Sequence, residues 1–357
     1  MKISIKLSRG FILPLSLWII AVMGLAAAVL SEWVAGAVNN AIAIQNKADS
    51  ELAFANIRNE LIFAFGRQPM TFRGVAIDNL PEQGSSLDPF SDILNNDFDD
   101  GDTIILDGRI STVSSNPRYA IKIQDGRGLV NLNVANNTIL KRFFTSLNID
   151  ETLHDSLIDT LLDYRDEDDL TRLSGAEIND YDNLGLSHPA NFQLLTPLEA
   201  QRIIGWSTVS EIWESHYRTP ILTTCRSNGF NPNTAPPIAL QTYIEGLSSD
   251  TANLIITARE TYPFRNIQDI GNAAGLILVA QPFFYSFVPG LCFIVDLIDR
   301  ETNETIRFSL TLLRREPDQP WQIDYVYKIP KVIQQRVADI DPKYTFPKPE
   351  DIARGAD

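Results

Sequence analysis

The sequence predicts an α+β fold in three parts: a long N-terminal transmembrane helix, an α/β domain with an antiparallel sheet, and a large α-helical domain inserted between the strands of that sheet. Three observations predict it. The twenty residues from Phe11 to Leu30 carry no ionisable side chain, and about 20 such residues span a bilayer as an α-helix. Alternating, β-branched segments flank the rest of the chain on both sides of a block whose apolar residues recur every three to four positions. Strands separated by such a block still need each other to cover one sheet face, so the helical block is an insertion.

The N-terminal element is justified by its flanks. Lys2, Lys6 and Arg9 precede the apolar run and the nearest acid beyond it is Glu32, so the positive-inside bias leaves the first ten residues in the cytoplasm and the bulk outside. A secretory signal is a second reading, with Ala35, Gly36 and Ala37 as the small-residue site. It would need an apolar core of only about 7 to 15 residues, and Trp33 is bulky where a signal peptidase takes small side chains. An uncleaved signal anchor is a third. Phe54, Ile57, Leu61 and Phe65 then continue a helical period, giving a transmembrane and stem helix over 11–65.

From Pro69 to Asp102 the chain is rich in Gly, Pro, Ser and Asp and reads as loop. "TIILDGRISTV" and "YAIKIQDGRGLVNLN" follow as strands with Gly-containing turns. Between about Asn136 and Gly275 the segments "LKRFFTSLNI", "ETLHDSLIDTLLDYRD", "TPLEAQRIIGW" and "DTANLIITARE" are helical in spacing. "CFIVDLID" and "ETIRFSLTLLR" alternate across a polar turn at Thr302 and Asn303, a β-hairpin. The boundaries are thus 66–135 and 276–316 for the sheet domain and 136–275 for the insertion, with 317–357 an extended or mobile tail.

Length and charge narrow the function. The 357 residues allow two or three domains, and 45 Asp and Glu oppose 30 Lys and Arg for a net charge of −15. Phosphate binding rests on clustered Lys and Arg, so the charge argues against nucleic acid as a partner, and an anionic lipid surface fits poorly. Cys225 and Cys292 would lie in an oxidising compartment, where they either form one disulfide or stay as two buried thiols.

The stretch "SRGFILPL" resembles the class III leader of type IV pilins and pseudopilins: a basic leader, 1–10, ending in Gly10, cut before Phe11. Leu15 stands where that family keeps a glutamate at the fifth mature position. With "DGRGLVNLN" (125–133), "LLDYRDEDDLTRLSGAEINDY" (161–181) and "NPNTAPPIALQTYIEGLS" (231–248), the order of parts resembles the type II secretion system protein K family, the large minor pseudopilins. The resemblance implies a pilin-like α/β domain carrying a SAM-like helical insertion, and a place at the tip of the periplasmic pseudopilus, where assembly starts. Its implied partners are the minor pseudopilins I and J, with H as a further candidate, the prepilin peptidase, the inner-membrane assembly platform and the inner membrane itself. It implies no catalysis.

Six carboxylates stand between Asp159 and Asp169, and Asp159, Asp163 and Asp166 would share a helical face. Like charges at that spacing disfavour a helix, and a cation would reverse the sign. Calcium suits loose oxygen cages, and the resemblance implies calcium in the helical domain, with Asp163, Asp166, Asp168, Glu177 and Asp180 matching the acidic motif. An EF-hand is excluded, because the twelfth residue from Asp163 is Ser174 and the sixth is not Gly. "DFDDGD" at 97–102 is a second acidic loop that reads as a turn.

The alternative reading is a membrane-anchored periplasmic DNA-binding protein, since residues 231–270 also resemble a helix-hairpin-helix module. The hairpin "EGLSS" keeps Gly246 but lacks a second glycine, Glu245 precedes it, and only Arg259 and Arg265 are basic nearby. Hydrolysis lacks support: His154, His188 and His216 lie in no nucleophile motif.

Overall fold

The computed structural model describes residues 12–77, 103–227, 229–278, 284–313, 319–330, 344–348 and 350–351. Contacts divide the chain after Arg58 into two compact units. The Gly10–Phe11 junction and the 97–102 acidic loop lie outside the described residues.

The first unit is helical. Helix α1, Ile12–Arg67, is long and apolar enough to cross a membrane. Pro14 falls in its first turn, where a missing N–H costs little because those amides have no intrahelical acceptor. Leu17, Trp18, Ile20, Leu25, Leu30 and Trp33 are all exposed. A helix apolar on every side and uncovered belongs in lipid or among other helices.

The second unit begins with the last turns of α1, where Leu61, Ala64 and Phe65 are buried. Its centre is a six-stranded sheet. The strands are β3 (Asp107–Val113), β4 (Tyr119–Asp125), β7 (Cys292–Asp299), β8 (Glu304–Leu312), β9 (Trp321–Lys328) and β10 (Tyr344–Phe346), in the order β10-β3-β4-β7-β8-β9. Every pairing is antiparallel except β10 on β3. β7 is buried along its whole length, as a central strand covered on both faces must be. On one face Phe65 meets Phe293 edge-on at 4.6 Å between ring centroids. The β7–β8 hairpin pairs Asp299 with Glu304, and Asn303 takes the left-handed conformation (φ 54°) that closes the turn.

β4 and β7 are neighbours in the sheet, yet the helical block lies between them in sequence. Its helices are α2 (Asn137–Ser146), α3 (Glu151–Arg165), α4 (Ile178–Leu184), α5 (Ser210–Arg218), α6 (Pro237–Tyr243), α7 (Ser249–Thr261) and α8 (Ile267–Ala274). Local chemistry sets the ends. Asn136 and Asp150 cap α2 and α3 by accepting from Ile139 N and Thr152 N, and Gly275 ends α8 in the left-handed region. One core joins these helices, including Phe143, Phe144, Leu157, Leu161, Trp206 and Ile212. Its buried indoles are satisfied: Trp206 Nε1 donates to Leu157 O at 2.8 Å and Trp213 Nε1 to Trp206 O at 2.7 Å.

Four expectations need correction. The segment after Pro317 is not simply a tail: β9 is an edge strand of the main sheet and β10 joins the opposite edge, so the sheet domain extends beyond residue 316. Trp321, Ile323, Tyr325 and Tyr327 supply the period-two aromatic pattern that strands favour, and the prolines around them obscured it. "TPLEAQRIIGW" forms two short 3₁₀ turns, Pro197–Arg202 and Trp206–Thr208, rather than an α-helix. The block is not wholly helical, because β6 (Leu222–Thr223) pairs parallel with β5 (Val130–Asn131). Finally, the loop from Pro69 contains β1 (Gly74–Ala76), paired antiparallel with β2 (Thr103–Ile105).

Candidate functional site

The acidic loop is built at the end of α3. Leu157, Ile158, Leu161 and Tyr164 turn that helix towards the core, and Asp163, on another side, is fully buried beneath the returning chain at Arg172 and Gly175. Its carboxylate accepts from Arg172 N at 3.1 Å and from Arg172 Nη1 at 2.5 Å, while the same Nη1 donates to Asp166 Oδ2 at 2.6 Å. Asp159 accepts from Ser174 N at 3.0 Å. The chain passes Asp163 so closely at Gly175 that a Cβ there would sit 1.8 Å from Asp163 Oδ2. The cation between Asp163 and Asp166 is therefore the chain's own guanidinium, which relieves the like-charge clash expected from spacing alone.

One carboxylate stays uncompensated. Glu177, the residue before α4, is 3% exposed and its side chain turns to the Asp180 backbone in a capping box, but among the described residues neither of its oxygens, nor Asp166 Oδ1, makes a full hydrogen bond. Burial first, then the charges of Asp163, Asp166, Asp169 and Asp168, push the Glu177 carboxyl up to about 7. Of the remaining predicted ligands, Asp168 is exposed and accepts from Leu170 N at 2.9 Å, and Asp180 is exposed and accepts from Glu177 N at 3.0 Å. The five residues thus run from the end of α3 through the connecting loop to the start of α4, but among the described residues no three acidic, imidazole or thiolate groups converge as a metal cluster. In donor chemistry the site fits a hard cation: buried carboxylate oxygens without full hydrogen bonds, in a field that already disfavours ionisation.

A second constellation holds the helical block to the sheet, and spacing did not reveal it. Asp125, at the end of β4, is fully buried. It accepts from Gly290 N (3.0 Å), Arg127 N (3.1 Å), Asn231 Nδ2 (2.9 Å) and Thr234 Oγ1 (3.0 Å). Burial pushes its carboxyl up, and the Gly290, Asn231, Arg127 and Thr234 donors oppose that shift. The "DGRGLVNLN" and "NPNTAPP" motifs therefore meet at one buried carboxylate. Beside it, Cys225 and Cys292 form a disulfide with Cα atoms 6.0 Å apart.

Deeper in the sheet, Arg307 of β8 is fully buried. It donates to Asp296 of β7 at 2.6 and 2.8 Å, and to the carbonyl of His216 at the end of α5 at 2.5 Å. The His216 ring contacts Tyr327 Oη at 3.1 Å, and burial, then Arg307, holds its imidazole well below the usual range. A readable signal existed: an acid inside "CFIVDLID" and a base inside "ETIRFSLTL" are charges in apolar strands, which fold only when paired. His154 is buried with a ring nitrogen 3.0 Å from Ile149 O, and His188 is exposed beside Asp182.

The helix-hairpin-helix features lead elsewhere. Gly246 sits between α6 and α7 with φ +74°, as such a hairpin requires. Arg259 is buried and donates to the carbonyls of Pro232 and Ala235 at 2.8 and 2.7 Å; Arg265 lies over the Phe72 ring; and Glu245 pairs with Arg142 at 2.5 Å. Its arginines serve structure and its tip carries an acid, so nothing here presents cations to a phosphate backbone.

A helix long and apolar enough to cross a membrane, followed in the chain by a largely antiparallel sheet with helices inserted between adjacent strands, defines the pilin-like class. Residues 121–210 and 230–282 match two family models, both described as Type II secretion system (T2SS), protein K. The matched residues carry the two domains of type II secretion system protein K. A solved structure with the same fold is the GspK-GspI-GspJ complex from enterotoxigenic Escherichia coli Type 2 Secretion System. One of its chains aligns at 14% identity with a TM-score of 0.52, over 80% of this chain and 97% of that one. No curated protein sequence matches the chain.

Proposed function

We propose that this chain is a minor pseudopilin that forms the tip of a type II secretion pseudopilus and helps to start its assembly. The observation that carries the reading is the shared build, an apolar helix, a sheet and a helical insertion, aligned along nearly the whole of a chain solved in a GspK-GspI-GspJ complex. On this reading the prepilin peptidase cuts between Gly10 and Phe11. The mature helix rests in the inner membrane with the acidic bulk in the periplasm, and the assembly platform then draws it into a helix bundle with minor pseudopilins I and J, with H a further partner. A helical block inserted between adjacent strands leaves little room for a subunit stacked above, and Leu15 lacks the carboxylate such stacking would use. The role is assembly rather than catalysis.

A calcium ion at the acidic loop is part of the proposal. Glu177 and Asp166 would hold it, with Asp163, Asp168 and Asp180 around them, and it would neutralise the carboxylates that Arg172 leaves uncompensated. The reading is tested by expressing the tagged chain with its neighbouring pseudopilins and the peptidase. The expected result is a mature terminus at Phe11 and stoichiometric co-purification of pseudopilins I and J; a terminus at Met1 or Val38, or purification alone, would overturn it.

A further inference from the structure

Exposed large apolar side chains of the helical block concentrate on one segment. Between Asp166 and Leu195, Leu173 is wholly exposed, Leu170 is 76% exposed, and Leu184, Leu186, Phe192 and Leu195 are all exposed. Single exposed leucines need no explanation, but grouped ones mark interaction sites. The segment is drawn together by its own bonds. Asn191 Nδ2 donates to Asp169 Oδ1 at 2.9 Å and Asn191 N to Tyr164 O at 3.0 Å, so the loop carrying Leu170 lies beside the run carrying Phe192. Leu186 N donates to Tyr181 O at 2.9 Å, and the His188 ring lies 2.7 Å from Asp182, which folds the end of α4 back on the same run.

The rim of this surface is predominantly acidic, with Arg202 exposed beside Tyr164 at its Leu195 end. Glu167, Asp168, Asp169, Asp180 and Asp182 are exposed around it, and the single arginine of the segment, Arg172, is taken up by Asp163 and Asp166. We propose that this face, leucines and Phe192 inside an acidic rim, is a docking surface for a protein segment that is apolar at its centre and basic at its edge. The charge selects the occupant. A second copy of this chain would bring the same acids into register, and an anionic bilayer would be repelled over a distance of about 10 Å at moderate salt. A cationic partner is attracted before contact, and its apolar residues then cover the leucines.

The test uses the full chain in zwitterionic lipid nanodiscs with chelator present. The probes are an immobilised amphipathic helical peptide with a leucine face and a lysine polar face, and the same peptide with glutamate for lysine. Expected are binding of the lysine peptide that weakens at least tenfold between 50 and 500 mM salt, and binding of the glutamate peptide at least tenfold weaker at low salt. Leu170→Ser/Leu173→Ser should lose tenfold or more, and Leu254→Ser, an exposed leucine of α7 outside the segment, should bind as the unaltered chain does. Serines at two such exposed positions remove no core packing, so the variant keeps its fold. Equal binding of both peptides, full retention by the double variant, self-association of the chain that depends on Leu170 and Leu173, or vesicle binding that rises with anionic lipid would overturn the proposal.

Discussion

Removing the disulfide tests how the helical block is held. Cys225 lies inside the block and Cys292 opens β7, and 67 positions separate them. In the chain-entropy account a cross-link closing about 67 residues removes roughly 15 cal/mol/K from the unfolded ensemble, or about 4 kcal/mol at 25 °C. For a unit of this size each kcal/mol moves the melting midpoint by about 2 °C, so Cys225→Ala/Cys292→Ala should melt about 8 °C lower. The natural reporters are well placed: Trp206 and Trp213 are buried in the helical block and Trp321 stands on β9. Fluorescence melts of the oxidised chain, the chain with reductant and the double variant would measure the shift. Reductant should lower the first to the level of the third and leave the third unmoved. A midpoint within about 2 °C of the oxidised chain would refute the reasoning, because the Asp125 and Arg307 constellations would then suffice to hold the block.

In chelator, Glu177 should make the protein less stable as pH rises. Its folded carboxyl is raised from 4.5 to about 7, so the favourable contribution is complete below pH 4.5 and lost as pH climbs through 7, up to about 3 kcal/mol. Glu177→Gln should therefore melt higher than the unaltered chain at pH 8 and like it at pH 4; no gain at pH 8 would contradict the assignment. Calcium at pH 8 should raise the midpoint of the unaltered chain and move Glu177→Gln much less, and absence of any shift in a calorimetric melt would remove the metal. Arg307→Met strands the buried Asp296 and should cost about 3 to 5 kcal/mol in urea denaturation, whereas Arg307→Met/Asp296→Leu should recover most of it. Ile20→Arg puts a charge at the middle of the apolar run at an insertion cost of about 3 kcal/mol. Carbonate extraction should then release more of the protein from membranes.

What could be read from sequence divides along physical lines. The apolar run and the β7–β8 hairpin were legible because each depends on residues close in the chain: hydropathy and alternation. β9 was not, although its aromatic alternation is regular, because an edge strand flanked by prolines differs from a mobile tail only through its pairing with β8. The turns around Pro197–Arg202 show the same limit from the other side. Their apolar spacing is helical, and the tertiary demand to bury Ala200, Ile203 and Trp206 decides that they are 3₁₀.

The site divides similarly. Composition located the acidic loop, yet it could not say that Arg172 would bridge Asp163 and Asp166 while leaving Glu177 without a full hydrogen bond, since that depends on how the chain returns past Gly175. Motifs at 125–133 and 231–248 were visible as patterns; their meaning, one buried carboxylate receiving four donors from three stretches of the chain, exists only in the folded molecule. Those motifs are therefore structural in origin: they fix a large insertion to two adjacent strands. A block held by a disulfide, by Asp125 and by the Arg307–Asp296 pair is tied down along one side, and its exposed leucines and acidic rim are left to meet whatever approaches from outside.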